Sequence, residues 1–264
     1  MLTRRNFVGT LVGVSAALAH VASAAPANAA PTGVDPDAVA AVDARRAPTQ
    51  WGMAMPGIVS GFSAAGRQLA LTLDACDRAC DDALLSMLQR NGVPAVLFIC
   101  SKWIDDNPGR LDRLAADPLF EIGNHGTRHV PLSVTGRSAY GIAGTRTPAE
   151  VVSEVWGNQV RLTSLTGKAP VWFRTGTAHY DDVAVDIVHQ LGLTPVGFTV
   201  NADDGATEPA AHVAAAIEAA APGSIVLAHV NHPEAGTGTG LSTAIPAMQK
   251  AGWEFVPLAG QTYA

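Results

Sequence analysis

The chain has 264 residues, of which 48% are hydrophobic and 15% are charged, and its formal net charge is −6. This length allows one large α/β domain or two small ones, and the apolar content excludes an intrinsically disordered chain. The acidic balance and the lack of any Lys/Arg run exclude a typical nucleic-acid-binding surface, so we expect no nucleic-acid partner.

The first 29 residues have the pattern of an export signal. Arg4 and Arg5 precede an Ala-rich apolar run that ends near Ala24, and residues 27–29 form an A-x-A cleavage site. The arginine pair resembles the twin-arginine signal of bacteria, while an ordinary secretory signal or an uncleaved anchor are the alternatives. The run is only moderately apolar, which favours cleavage. We therefore expect a periplasmic or extracellular protein with no membrane attachment after cleavage.

Residues 30–66 are rich in Ala, Pro and Gly and predict a linker and lead-in arm, followed by one domain over residues 67–262. Seven short apolar runs in that domain predict strands: Gln68–Asp74, Ala95–Cys100, Leu119–Gly123, Val171–Arg174, Pro195–Val200, Ser224–His229 and Glu254–Pro257. Helical periodicity between them predicts helices at Asp82–Arg90, Pro148–Leu165, Asp181–Leu191, Pro209–Ala221 and Leu241–Ala251. The alternation predicts a parallel sheet, either doubly wound or closed into a (β/α) barrel.

Reactive side chains follow five of these predicted strands. Since parallel strands present their carboxyl ends at one face, we expect these side chains to converge. In chain order they are Asp74, His125, Arg174, Asp203 with Asp204, and His229. This set suits metal-assisted hydrolysis, in which a carboxylate accepts the proton of a water and a histidine protonates the leaving group. His125 and His129 are four residues apart and can face one metal ion.

The ordered motifs resemble those of the polysaccharide deacetylases, which are carbohydrate esterases sharing the nodulation-protein-B homology domain. The resemblance covers about residues 68–258. Segments that are similar to the family's T-F-D-D, G-N-H-[ST]-x-x-H, R-x-P-Y, D-x-x-D-W and L-x-H motifs begin at Thr72, Gly123, Arg174, Asn201 and Leu227.

The resemblance implies a distorted (β/α) barrel of seven strands that removes N- or O-linked acetyl groups from sugar polymers or oligomers. It implies that Asp74 is the general base, oriented by Arg174. His229 would be the general acid, tethered by Asp203 or Asp204.

The resemblance also implies positions for the metal and the substrate. His125 and His129 would be metal ligands, and Leu227 would line the acetyl pocket. A backbone N–H after Arg174, at Thr175 or Gly176, would stabilise the oxyanion.

The chain departs from the family pattern at the metal site. Ala75 occupies the place of the family's metal-binding Asp. Three alternatives stay open: Asp77 as the third ligand, Cys76 as a softer ligand, or a two-His site completed by water. We expect a divalent metal, most often zinc for such ligands, and assign Asp77 to the site with the histidines.

The third motif also lacks Pro and Tyr, and the fourth lacks Trp, so the substrate groove is altered. The leading hypothesis is an exported metal-dependent carbohydrate deacetylase. The alternatives are a catalytically silent carbohydrate-binding protein on the same fold, or a hydrolase of another C–N amide bond. Cys76 and Cys80 could form a disulfide in an oxidising compartment, whereas Cys100 is expected to be a buried thiol.

Overall fold

The structure is a computed structural model that describes residues 33–263. Its strands, in chain order, are β1 (Trp51–Gly52), β2 (Gln68–Ala75), β3 (Ala95–Ile99), β4 (Phe120–Asn124), β5 (Ser138–Ala139), β6 (Ile142–Ala143), β7 (Trp172–Phe173), β8 (Tyr180–Asp181), β9 (Thr194–Pro195), β10 (Val200–Asn201), β11 (Ser224–His229) and β12 (Glu254–Phe255). Its helices are α1 (Pro36–Val42), α2 (Asp82–Arg90), α3 (Ser101–Asp106), α4 (Leu111–Ala116), α5 (Pro148–Thr166), α6 (Asp182–Gln190), α7 (Ala210–Glu218) and α8 (Gly236–Lys250).

Eight of these strands form one parallel sheet at the centre of the molecule. The order is β10-β11-β2-β3-β4-β7-β9, and β12 pairs with the start of β2. The curled parallel sheet confirms the predicted distorted (β/α) barrel. All seven predicted strands occur in it, and the fifth is divided into β9 and β10.

The central strands are formed by nearly continuous apolar segments. From Leu69 onward every residue of β2 is buried, as is every residue of β3, which is typical of a parallel sheet covered on both faces. Helix α5 begins as predicted, with the Thr147 hydroxyl accepting from the Glu150 amide at 3.1 Å, and it ends at Gly167 in the left-handed region. These elements place the carboxyl ends of β2, β4, β7, β10 and β11 at one face.

The predicted lead-in arm pairs with the domain. Helix α1 lies against α5 and α6, and β1 pairs antiparallel with β8. Further along, Val59 bridges Val196 and Gly61 bridges Ser224. The arm therefore contacts strands near both ends of the sheet order.

The predicted export signal at residues 1–29 lies outside the described residues. Within residues 33–263, no helix is long and apolar enough to cross a membrane. All three cysteines are free, so the structure does not contain the Cys76–Cys80 disulfide considered above.

Candidate active site

The carboxyl ends of the strands surround one cavity of about 470 Å³. Asp74, His129 and His229 line this cavity, together with Cys76 and Leu227. The convergence expected from the strand ends is therefore present, and the side chains fall into three groups.

The first group is a buried pair of Asp74 and Arg174. Arg174 Nη1 donates to Asp74 Oδ1 at 2.8 Å and to Thr72 Oγ1 at 2.9 Å. The remaining guanidinium nitrogens donate to the carbonyl oxygens of Val196 at 3.1 Å and Gly197 at 2.9 Å. The fully buried guanidinium can thus adopt only one orientation.

Two opposing influences set the pKa of Asp74. Burial alone would raise it, but the charge of Arg174 and the nearby histidines outweigh burial, and the pKa lies below its usual value. Asp74 is therefore ionised at neutral pH. Its second oxygen, Oδ2, lies 3.6 Å from His125 Nε2 and remains available to accept a proton.

The second group is His229 with Asp203. His229 Nδ1 lies 2.9 Å from Asp203 Oδ1, and the His229 amide donates to Asp203 Oδ2 at 2.8 Å. Thr237 Oγ1 donates to the same Oδ2 at 2.7 Å. Burial would lower the pKa of His229, but the hydrogen bond and charge of Asp203 outweigh it, and the pKa is raised.

Of the two acids expected as the tether, Asp203 is the one hydrogen-bonded to His229. Asp204 is exposed, with φ at +44°, and its own contacts are with Asn201 and Thr207. Its side chain makes no hydrogen bond with His229, although Asp204 still lines the cavity.

The third group consists of Cys76, His125 and His129. Their ligand atoms all lie within 4.8 Å of one another, and Cys76 Sγ is 3.6 Å from His125 Nε2. His125 Nδ1 lies 2.8 Å from the carbonyl oxygen of Arg174, which leaves Nε2 directed to the cluster. Burial lowers the pKa of both histidines, to about 3 for His129, so both are neutral and able to ligate.

Asp77 does not join this group. Its side chain is 45% exposed at the cavity wall, and its carboxylate lies 3.6 Å from Arg78 Nε. The structure thus brings two of the three predicted ligands together and adds Cys76, the alternative ligand, in place of the third.

Residues 63–196 match the family model described as polysaccharide deacetylase, which is about half of the chain. The chain belongs to the polysaccharide deacetylase family. The matched segment contains Asp74, both histidines and Arg174, whereas Asp203 and His229 lie beyond it.

Relatives of known type support this membership. A chitooligosaccharide deacetylase of Bradyrhizobium sp. (strain ANU 289) is 28% identical in an alignment 217 positions long, and the alignment covers 76% of this chain and 92% of that protein. The chain is accordingly a polysaccharide deacetylase-like hydrolase.

Solved structures share the fold. A family 4 carbohydrate esterase pseudoenzyme from Bacillus anthracis superposes with a TM-score of 0.66 and 19% identity, over 79% of this chain and 69% of that one. A family 4 acetyl xylan esterase from Clostridium thermocellum, solved with a cobalt ion, gives a TM-score of 0.59 and 23% identity, over 72% and 88%.

The cluster in this deacetylase fits a divalent metal. His129 Nε2 is buried and has no hydrogen-bond partner among the described residues, which is costly unless a ligand occupies its lone pair. Burial raises the pKa of Cys76 well above its usual value, so the thiol is protonated unless a cation binds it. One sulfur and two imidazole nitrogens form a donor set that zinc accepts in tetrahedral sites.

The two residues expected to offer a backbone N–H after Arg174 differ in their surroundings. The Thr175 amide donates to the Tyr180 hydroxyl at 2.8 Å, and Thr175 is buried and absent from the cavity lining. The Thr175 amide is therefore hydrogen-bonded within the protein. Gly176 and Thr177 line the cavity, as does Leu227.

Glu154 is a site residue that the sequence motifs did not indicate. Its Oε1 accepts from the amides of Arg128 at 2.8 Å and His129 at 3.1 Å, and its Oε2 accepts from Arg128 Nε at 2.9 Å. This buried carboxylate on α5 fixes the loop that carries His129. Its position on the same helical face as Val151 and Val155 is the one sequence signal that could have revealed it.

Proposed function

We propose that this family member is an exported, metal-dependent hydrolase that removes acetyl groups from a carbohydrate, with Cys76, His125 and His129 as its metal ligands. The observation that carries the proposal is the arrangement of two buried acid–base pairs beside an incomplete ligand cluster in one cavity. A divalent ion would supply a water of lowered pKa and a Lewis acid for the acetyl carbonyl.

The side chains of the chain account for the proton transfers. Asp74 is ionised, oriented by Arg174, and accepts the proton of the attacking water. Asp203 raises the pKa of His229, which favours the protonated imidazole, and His229 donates that proton to the departing amine or alcohol. An amide of the Gly176–Thr177 segment donates to the oxyanion.

The substrate class rests on the family and on the named relative. Membership of the polysaccharide deacetylases supports an acetylated sugar, and the Bradyrhizobium relative is named for chitooligosaccharides. N-acetylglucosamine oligomers are therefore the first substrates to test, beside O-acetylated xylan and small N-acetyl amides.

Two observations favour a second candidate, a catalytically silent glycan-binding protein. Ala75 replaces the family's metal-binding Asp, and a structural relative with the same fold is described as a pseudoenzyme. The two candidates differ in metal content and turnover, so one set of measurements separates them.

The test is metal analysis of purified protein combined with acetate release from N-acetylglucosamine oligomers, before chelation and after zinc is returned. We expect about one zinc ion per chain in the wild type, loss of that ion in Cys76→Ala, and its retention in the matched variant Asp77→Ala. Asp74→Asn should retain zinc and the fold but release no acetate.

Other results would redirect the proposal. If Asp77→Ala loses zinc and Cys76→Ala retains it, the third ligand is Asp77 rather than Cys76. Wild-type protein that binds the oligomers without zinc and without turnover would establish the silent candidate. Turnover of small amides but of no acetylated sugar would establish another C–N hydrolase.

Export is tested separately. The Arg4-Arg5 pair supports a twin-arginine route, so replacing both with Lys should leave the protein in the cytoplasm of a bacterial host. Unchanged appearance outside the cytoplasm would contradict this route.

A further inference from the structure

Asn231 is a buried amide at the active-site cavity that no described group of the protein satisfies. The residue is 1% exposed and lines the cavity. Neither its Nδ2 nor its Oδ1 has a hydrogen-bond partner among the described residues. Such an amide is costly, because it has lost water without gaining a partner. Its partner is therefore to be sought in a group that enters the cavity.

Asn231 lies on the same face of strand β11 as the general acid candidate. Three alternate residues line the cavity, namely Leu227, His229 and Asn231. The residues between them, Ala228 and Val230, pack in the apolar core on the other side of the sheet. The alternation of a strand thus continues to Asn231, and its side chain lies on the same side as the His229 imidazole.

Pairing with β2 places Asn231 between the acid and the ligand cluster. His229 lies opposite Asp74 in the parallel register, and the Val230 amide donates to the Asp74 carbonyl oxygen at 3.0 Å. Two residues further along both strands, the inward-facing pair is Asn231 and Cys76. A group that reaches from the Cys76 cluster to the His229 imidazole therefore passes the Asn231 amide.

The bond that is hydrolysed is the group expected at this position. Its acetyl carbon lies near the water that Asp74 deprotonates, and its leaving atom faces His229. When the leaving atom is an amide nitrogen, its lone pair receives the proton of His229 while the nitrogen keeps its own N–H. That N–H needs an acceptor in a site without water. An ester oxygen carries no hydrogen and has no such need.

Two side-chain amides line the cavity within residues 33–263, and only Asn231 is free to accept. Asn201 is exposed, its Nδ2 donates to Asp204 Oδ1 at 3.3 Å, and its Oδ1 accepts from the Asp204 amide at 3.1 Å. Asp74 Oδ2 is reserved for the proton of the water in the proposed mechanism. Asn231 Oδ1 is thus the uncommitted neutral acceptor that follows His229 on the strand.

We propose that Asn231 is a specificity-determining residue whose Oδ1 accepts the N–H of the scissile amide, so that the site is adapted to N-acetyl rather than O-acetyl groups. This inference rests on the proposed deacetylation and specifies the class of bond. The water oxygen bonds to the acetyl carbon, and its proton passes to Asp74. The C–N bond breaks, its electron pair stays on the nitrogen, and the nitrogen takes the proton of His229. The products are acetic acid and an amine.

The test compares two trisaccharides that differ only in carrying N–H or O at C2, with the full-length protein. One is the N-acetylglucosamine trimer, and the other is cellotriose with 2-O-acetyl groups. Asn231→Leu keeps the side-chain volume but removes the acceptor, and it should lower the amide-to-ester ratio of kcat/KM about 10- to 100-fold. Asn231→Asp keeps an acceptor oxygen and should retain the ratio. Asn201→Leu is the matched control at the same cavity and should leave the ratio unchanged.

An amide-to-ester ratio that is the same in Asn231→Leu and wild type would overturn the inference, as would equal decreases of the ratio in Asn231→Leu and Asn231→Asp. Hydrolysis of the ester alone by the wild type would also overturn it, although deacetylation itself would stand. If circular dichroism shows that Asn231→Leu is unfolded, Asn231→Ala takes its place under the same criteria.

A wild type that releases acetate from neither compound contradicts the proposed function, and calorimetric titration with both compounds then decides the role of Asn231. Weaker binding of the amide alone in Asn231→Leu supports the hydrogen bond to the N–H. Equal weakening for both compounds, no change for either, or no binding to the wild type overturns it.

Discussion

The acid–base pairs and the ligand cluster lie at the same cavity but differ in how fully the protein satisfies their hydrogen-bonding groups. Arg174 places its guanidinium nitrogens on four oxygen acceptors, and Asp203 accepts three hydrogen bonds at His229 and Thr237. In contrast, His129 Nε2 is buried without a partner among the described residues. Side chains and backbone of the protein orient the proton-transfer groups, whereas His129 Nε2 has no protein partner among the described residues, which is consistent with the proposed metal ligation.

The cluster is also the more strained region. His129 has φ at +64°, and Gly176 lies so close to it that any side chain would overlap the imidazole. Strain at such a position persists only where surrounding contacts impose it. Four substitutions test this contrast between the acid–base pairs, which protein hydrogen bonds orient, and the ligand cluster.

The largest effect is expected from Arg174→Gln. It leaves Asp74 as a buried carboxylate without its cation, which should cost about 3–5 kcal/mol of stability and raise the pKa of Asp74. Urea unfolding and acetate release measure the two consequences. Arg161→Gln breaks the exposed pair with Asp105 and should cost no more than about 1 kcal/mol. Equal losses in both variants would contradict a special role for the buried pair.

Asp203→Asn should lower kcat about 100-fold and change its pH dependence. Asp203 raises the pKa of His229, so its removal lowers that pKa, and the protonated acid is then lost at a lower pH. The basic limb of kcat against pH should move down. Asp204→Asn is the control, since Asp204 is exposed and makes no hydrogen bond with His229. A shift of the same size in that variant would make Asp204 the tether instead.

Gly176→Ala tests the strained region. The new Cβ would lie 2.5 Å from His129 Cγ and 2.6 Å from its Cα, so the imidazole must move. We expect zinc affinity to fall about 10- to 100-fold in a competition titration. This is the loss typical of mutating a residue that orients a metal ligand. Gly66→Ala meets no atom within 4 Å and should bind zinc as the wild type does. Normal affinity in Gly176→Ala would show that His129 is not a ligand.

The smallest effect is expected from Glu154→Gln. The neutral amide can still accept from the Arg128 and His129 amides but loses the charge opposite Arg128 Nε. About 1 kcal/mol of stability should be lost, with a modest decrease in zinc affinity. Glu150→Gln, at a half-buried position in the first turn of the same helix, keeps an oxygen that can accept from the Arg146 amide and should change neither quantity. A fully inactive Glu154→Gln would mean that this carboxylate does more than hold the loop that carries His129.

Much of the fold and part of the site could be predicted from the sequence, because both depend on where apolar runs end. The run that forms β2 ends at Asp74 and the run that forms β11 ends at His229, and parallel pairing brings these two residues side by side. Strand ends alone thus placed the general base and the general acid candidates.

The remaining features depend on backbone paths that apolar patterns do not encode. The fifth predicted strand is divided because the carbonyl oxygens of Val196 and Gly197 accept from Arg174. After β2 the backbone turns at Arg78, with φ at +62°, and Asp77 faces its neighbour rather than the histidines. The sequence pattern assigned Asp77 to the site with the histidines. In the structure Cys76, two residues after Asp74, is the residue that lies beside them.

The arm at Val59–Phe62 completes the open side of the sheet. The Val59 amide donates to the Pro195 carbonyl, the Gly197 amide donates to Val59, and the Phe62 amide donates to Gly223. A fragment that began at residue 67 would leave these strand edges bare, and bare edges invite pairing between molecules. The few residues that precede the recognisable family motifs are therefore a safeguard against aggregation as much as a connection to the chain before them.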